Sequence, residues 1–257
     1  MSIGAKQARE DARRRLAVAL DVDDAVKARA LAGALDGRCG WLKVGLQLFL
    51  AAGGPFVREL TNSGTRVFLD LKLHDIPNTV AGAATEAARL GAAMMTIHAS
   101  GGAAMMRAAA EAVAREAAAS GRPRPRVVAV TALTSLAESD LAEVGLLGPA
   151  AETCLRLALL ARRSGCDGVV CSPAELGILR PRMGQDFLLV TPGIRPAAAP
   201  GAAPADDQRR TSTPSEAIRA GASVLVVGRP VTGAPDPAAA VEAILDGIAA
   251  AAGAAHP

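Results

Sequence analysis

The densest run of chemistry-bearing residues in the chain is Asp70-Leu-Lys72-Leu-His74-Asp75. On an extended strand alternate side chains share a face, so Asp70 and Lys72 point one way while Leu69, Leu71 and Leu73 point the other. An aspartate and a lysine aimed into a protein are costly, because each ion leaves water. One reading of the pair is a buried, stabilising ion pair. The other adds Lys43 from the preceding apolar run and Asp75 from just beyond, making an array of two cations and two anions. Such an array can hold a carboxylate under electrostatic load and keep a lysine ready as a proton donor.

A second constellation reads independently. Thr191-Pro192-Gly193-Ile194-Arg195 and Val227-Gly228-Arg229-Pro230 each follow a short apolar run late in the chain. Glycine permits close backbone approach to a ligand, and arginine offers a bidentate donor for phosphate. Ordinary turn glycines are the alternative. His98, in Ile97-His-Ala-Ser-Gly-Gly, ends another run and reads as a core histidine satisfied by the backbone; His74 reads as structural by strand parity. No His, Cys and carboxylate set has metal-ligand spacing, and a P-loop and a Gly-x-Gly-x-x-Gly are both absent.

The elements that must position these groups are legible from periodicity. Eight short, non-alternating apolar runs (16–20, 41–44, 66–71, 94–97, 127–130, 168–170, 187–190 and 223–227) read as strands buried on both faces. Between them lie helical segments at 24–35, 46–60 (with Pro55 as a break point), 78–90, 102–118, 149–164, 173–180, 213–220 and 237–252. Proline or aspartate opens several of these, and Gly91, Gly165 and Gly221 close others. Eight βα units in succession predict a single-domain (β/α)8 TIM-type barrel over 16–252, with a doubly wound sheet as the structural rival. Sites in such barrels lie at the strands' C-terminal ends, where Asp21, Lys43, Asp70, Lys72, His98, Thr131, Ser172, Gly193 and Gly228-Arg229 fall. Residues 1–15 read as a polar arm without an apolar face, and 253–257 as a tail. The Ala/Pro/Gly-rich stretch 196–214 is either a floppy insertion or a lid over the site.

Composition narrows the classes further. The 257 residues are 51% apolar and 21% charged, with a net charge of +3, so length and core suit one α/β domain. Aromatics are only 2%, which removes the stacking platforms of single-strand nucleic-acid binders; no nucleic-acid partner is expected. No clean apolar run reaches about 18 residues, and Leu16–Leu20 is too short for a signal-peptide core, so no membrane association and a cytoplasmic location are expected. Cys39, Cys154, Cys166 and Cys171 form no CxxC pair and read as reduced thiols.

With these residues in view, the chain resembles the orotidine 5′-phosphate decarboxylase family over about residues 16–250. The matching pieces are LAVALD, LKVGLQLF, FLDLKLHDIPNTV, IHASGG, VTALTS, VTPGIRP and VVGRPVT, in the family's order and spacing. The resemblance implies a (β/α)8 barrel working as a homodimer, without metal or organic cofactor. It implies decarboxylation of orotidine 5′-monophosphate to uridine 5′-monophosphate and CO2, in pyrimidine nucleotide biosynthesis. By motif, Lys72 would protonate C6 of the pyrimidine and Asp70 would lie beside the departing carboxylate. Lys43 would hold Asp70 and the ribose, and Asp21 the ribose hydroxyls. Asp75 and Thr79 would reach in from the partner subunit, and Thr134 would bond the pyrimidine. Gln208, Gly228 and Arg229 would grip the phosphate, with Arg195 nearby; Gln208 rests on its Asp-Gln-Arg-Arg context alone. The nearest rivals, sugar-phosphate decarboxylases and aldolase-like synthases of the same superfamily, carry an acidic metal ligand where this chain has Lys43. A non-catalytic phosphate-binding barrel would keep the glycines and Arg229 but not the charged array.

Overall fold

A computed structural model of the chain describes residues 3–146, 148–196 and 211–253. Helix α1 (Ile3–Arg14) leads into β1 (Leu16–Ala19), α2 (Ala25–Ala34), β2 (Trp41–Gly45), α3 (Leu46–Asn62), β3 (Val67–Leu73) and α4 (Pro77–Arg89). Next come β4 (Met94–His98), α5 (Gly102–Ser120), β5 (Arg126–Val130), α6 (Glu138–Glu143), α7 (Ala150–Arg163), β6 (Gly168–Val170) and α8 (Leu176–Met183). The chain continues with β7 (Leu188–Thr191), α9 (Pro214–Arg219), β8 (Val224–Val227), α10 (Arg229–Thr232) and α11 (Pro237–Gly253). Every strand pairs in parallel with its sequence neighbours, and β1 pairs with β8, so the sheet closes into a (β/α)8 barrel rather than a doubly wound sheet.

Two apolar layers explain why the strands lack alternation. Leu16, Val18, Leu42, Val44, Leu69, Met95, Ile97 and Leu225 face the helices. Ala17, Ala19, Trp41, Phe68, Met94, Val128, Val190, Val224 and Val226 fill the barrel interior. Both faces are buried, so both are apolar. Continuing that inner parity toward the C-terminal ends reaches Lys43, two residues past Trp41, and Asp70, two past Phe68. Register aligns Lys43 with Phe68 and Gly45 with Asp70, bringing both charges to the same mouth of the barrel.

Some local expectations shift. The break in α3 falls at Gly53 (φ 69°, ψ −172°), two residues ahead of Pro55: proline has no amide to donate into the preceding turn, and glycine takes the positive φ that turns the chain. The helix after β6 is preceded by a separate 3-10 turn, Pro173–Glu175, and α6 and α10 are short helices inside the loops after β5 and β8. The polar arm is a docked helix. Ala12 is buried, Arg9 pairs with Glu242 and Asp246 on α11, and the Trp41 indole donates to the Arg14 carbonyl at 3.0 Å. Among the described side chains, this contact is made by ion pairs, the Trp41 hydrogen bond and the buried Ala12. Among the described residues no helix is long and apolar enough to cross a membrane.

Candidate active site

A cavity of about 280 Å³ opens at the C-terminal ends of the strands, and Asp21, Lys43, Asp70, Lys72, Thr134, Gly193, Arg195, Gly228 and Arg229 all line it. At its centre is the Asp70 carboxylate. Oδ2 lies 2.8 Å from Lys72 Nζ and 3.6 Å from Lys43 Nζ, and Lys43 Nζ lies 3.0 Å from Asp21 Oδ1. Oδ1 accepts from the Thr96 hydroxyl at 2.9 Å. Lys43 and Asp70 are only 8% and 9% exposed, so neither charge is solvated well by bulk water. Burial pushes the Asp70 carboxyl up. Lys43, Lys72 and the hydrogen bonds from Lys72 and Thr96 outweigh it and hold the group below the usual carboxylate range, so it is ionised at neutral pH. With the folded value depressed, its contribution to stability is present above the unfolded-chain value and is lost as pH falls through the folded one.

Simple alternation gives Asp70 and Lys72 as neighbours, but not by the route the chain takes. Lys72 has φ 51°, in the left-handed region, and β3 slips register against β4 between Leu69 and Leu73. The backbone bulges there, and the bulge delivers the ammonium onto Asp70. The Lys72 amide donates to Thr96 Oγ1 at 2.8 Å. A non-glycine residue in this conformation costs about 1–3 kcal/mol and persists only where its surroundings over-determine it. Thr96 is fully buried on β4, at the inward parity two residues past Met94. Sequence reasoning passed over it for His98; a threonine at an inward strand position was the available signal.

The other expected residues divide. Gly193 takes φ 78°, which favours glycine, and a Cβ on Gly228 would stand a tight 3.3 Å from Asp21 Oδ2. Arg229 opens α10 beside Gly228, and Arg195 Nη1 donates to the Ile194 carbonyl. Asp75 and Thr79 do not line the cavity of their own chain. Asp75 is exposed and its Oδ1 accepts from the Ile76 amide at 2.6 Å, while Thr79 is exposed on α4. Gln208 and most of the 196–214 loop lie outside the described residues. The loop's two ends are pinned together at the cavity rim, where Arg195 N donates to Ser212 O and Ser212 N to Gly193 O. Thr131, expected at the site, is buried and donates to the Val170 carbonyl instead. His98 stacks on exposed His74, with ring centroids 5.3 Å apart, in place of the backbone contact expected for it. Burial, His74 and Lys72 hold its pKa below the usual imidazole value. Burial also pushes the Cys39 and Cys166 thiols up, to about 11 and about 12, so neither is a nucleophile at neutral pH.

Charged groups converging from the C-terminal ends of parallel strands define a barrel enzyme of the (β/α)8 class. The chain belongs to the Orotidine 5'-phosphate decarboxylase / HUMPS family, whose profile matches residues 14–244. It is 52% identical over 237 residues to the orotidine 5′-phosphate decarboxylase of Moorella thermoacetica, covering 92% of each chain. It is 55% identical over 237 residues to that of Halorhodospira halophila, covering 92% of this chain and 97% of the relative. The crystal structure of orotidine 5′-phosphate decarboxylase from Lactobacillus acidophilus superposes with a TM-score of 0.81 at 42% identity, across 91% of this chain and 99% of that one.

The strained Lys72 backbone predicts a stability ordering. Lys72→Gly, which accepts a positive φ freely, should unfold with a free energy about 1 kcal/mol higher than Lys72→Ala, which does not. Urea unfolding of the two purified variants reads the difference directly; equal midpoints would mean that the left-handed conformation stores no strain.

Proposed function

We propose that this protein decarboxylates orotidine 5′-monophosphate to uridine 5′-monophosphate and CO2, supplying the pyrimidine nucleotide pool, without metal or cofactor. The observation that carries the reading is the ionised Asp70 held between Lys43 and Lys72 in a cavity also lined by Gly193, Gly228 and Arg229. In the reaction the C6–carboxylate bond breaks and its electron pair stays on C6. Lys72 sets a positive charge beside that developing carbanion and then gives C6 a proton, which it regains from solvent. Asp70 faces the substrate carboxylate and favours its departure, while Lys43 holds Asp70 in place and, with Asp21, receives the ribose hydroxyls.

Thr134 bonds the pyrimidine, and Gly228, Arg229, Arg195 and Gln208 take the phosphate. Phosphate is remote from C6, so its binding energy can close the 196–214 loop as a lid and offset the cost of pressing the substrate carboxylate toward Asp70. The pinned loop ends at Gly193 and Ser212 are what a hinged lid over this cavity needs. The family's name covers a second branch, and the sugar-phosphate chemistry set beside this reading requires an acidic metal ligand at the position of Lys43. Here that position holds a cation already paired with Asp21 and Asp70, which favours the metal-independent reaction.

The working assembly is a homodimer in which each site borrows Asp75 and Thr79 from the other chain. The support is local. Ile76, next to Asp75 at the start of α4, is 66% exposed, and Leu46 and Leu50 at the start of α3 are 57% and 76% exposed. Apolar side chains left open beside unused polar ones fit a twofold contact. No membrane or nucleic-acid partner is part of the reading, and the enzyme acts in the cytoplasm.

A spectrophotometric assay with orotidine 5′-monophosphate tests the reaction. Full turnover after dialysis against a strong chelator is expected, and activity restored only by added Mg2+ would overturn the metal-independent assignment. Mixing tests the shared site. Lys72→Ala and Asp75→Ala homodimers should each be nearly inactive. Co-refolding equal amounts should restore about a quarter of wild-type sites, since half the dimers are mixed and each rebuilds one of its two sites. Activity no greater than the sum of the parents, with mixed dimers confirmed by mass, would contradict a site shared between chains.

A further inference from the structure

We propose that Thr96 is a positioning residue for the decarboxylation, setting the geometry of Lys72 and Asp70 together through one hydroxyl. The inference rests on the functional reading above and deepens it. Thr96 lies outside the cavity-lining set and is fully buried, so it does not need to touch substrate. Its hydroxyl is used twice: it accepts from the Lys72 amide at 2.8 Å and donates to Asp70 Oδ1 at 2.9 Å.

The two bonds act on the two features that distinguish this site. The first fixes the peptide entering Lys72, the described non-glycine residue held at positive φ, inside the register slip of β3 against β4. Without it that amide loses its hydroxyl partner, and the bulge loses a contact that ties it to β4. The second occupies the Asp70 oxygen not taken by the lysines, which orients Oδ2 toward Lys43 and Lys72 and favours the ionised carboxylate. Because a hydroxyl that donates to one group while accepting from another is polarised by both, the bonds support each other. The side chain thereby couples the donor's backbone to the anion that holds the donor's ammonium. Valine keeps the volume of threonine and removes both bonds; serine keeps both and removes a methyl group.

The test compares wild type, Thr96→Val and Thr96→Ser for turnover of orotidine 5′-monophosphate and for affinity toward uridine 5′-monophosphate. Thr96→Val is expected to lose about ten- to a hundredfold in kcat, the worth of a lost hydrogen bond to a charged group. Its KM and product affinity should stay within about threefold of wild type, because phosphate and ribose contacts are untouched. Thr96→Ser should recover most of the lost kcat. A Thr96→Val enzyme with wild-type kcat, or a Thr96→Ser enzyme as slow as Thr96→Val, would overturn the proposal. If Thr96→Val does not fold, Thr96→Ser against Thr96→Ala carries the same comparison. A crystal structure of the valine or alanine variant supplies a readout independent of the reaction. Lys72 should leave the left-handed region or its ammonium should leave Asp70, whereas an unchanged Lys72 would refute positioning by Thr96. Absence of turnover in the wild type would instead sink the functional reading and leave the structural comparison standing.

Discussion

A carboxylate buried between two ammonium groups governs this molecule. At 9% exposure Asp70 is held in its ionised form by Lys43 and Lys72, and the buried Lys43 is in turn balanced by Asp70 and Asp21. Removing either sign would leave an uncompensated buried charge, which is far costlier than the net worth of the intact set. For stability alone, apolar side chains of equal volume would serve as well or better. The array therefore makes sense as stored electrostatic organisation, built before any ligand arrives.

The barrel is the device that assembles it. Strands buried on both faces give a fixed inner parity, so an apolar layer of Trp41, Phe68 and Met94 is followed two residues on by Lys43, Asp70 and Thr96. Three adjacent strands thus contribute one polar residue each to the same mouth of the barrel. Lys72 keeps the inward side but not the ordinary strand backbone, and it is also the residue assigned the chemistry. A register slip and a positive φ free it from the pleat and turn its ammonium back onto Asp70. The ordinary geometry builds the container, and the departure from it places the lysine proposed as the proton donor.

Much of this was readable from the chain. The strands announce themselves as short apolar runs because both faces are buried, and their ends move by only a few residues in the structure. Asp21, Lys43, Asp70, Lys72, Thr134, Gly193, Arg195, Gly228 and Arg229 were found by falling at strand ends or within motifs, and all of them meet at one cavity. What was not readable depends on contacts between distant residues. The left-handed Lys72 follows from its pairing with β4 and Thr96, and nothing in Asp-Leu-Lys-Leu foretells it. Thr96 itself looks like any strand threonine until Asp70 is placed opposite. The docking of α1 rests on Arg9 meeting Glu242 and Asp246 more than two hundred residues away, which no local periodicity encodes.

The account stands or falls on whether the charge on Asp70 drives the chemistry or merely balances two lysines. Asp70→Asn keeps the shape of the side chain and removes its charge. The decisive measurement is single-turnover decarboxylation of orotidine 5′-monophosphate by this variant, with binding of the substrate determined separately. The account predicts a rate lower by about 10²–10³-fold, the scale of losing one preorganised electrostatic group. It also predicts substrate binding as tight as wild type or tighter, because the repulsion between two carboxylates is gone. An Asp70→Asn enzyme that turns over within tenfold of wild type would contradict it and return the array to the status of a structural ion cluster.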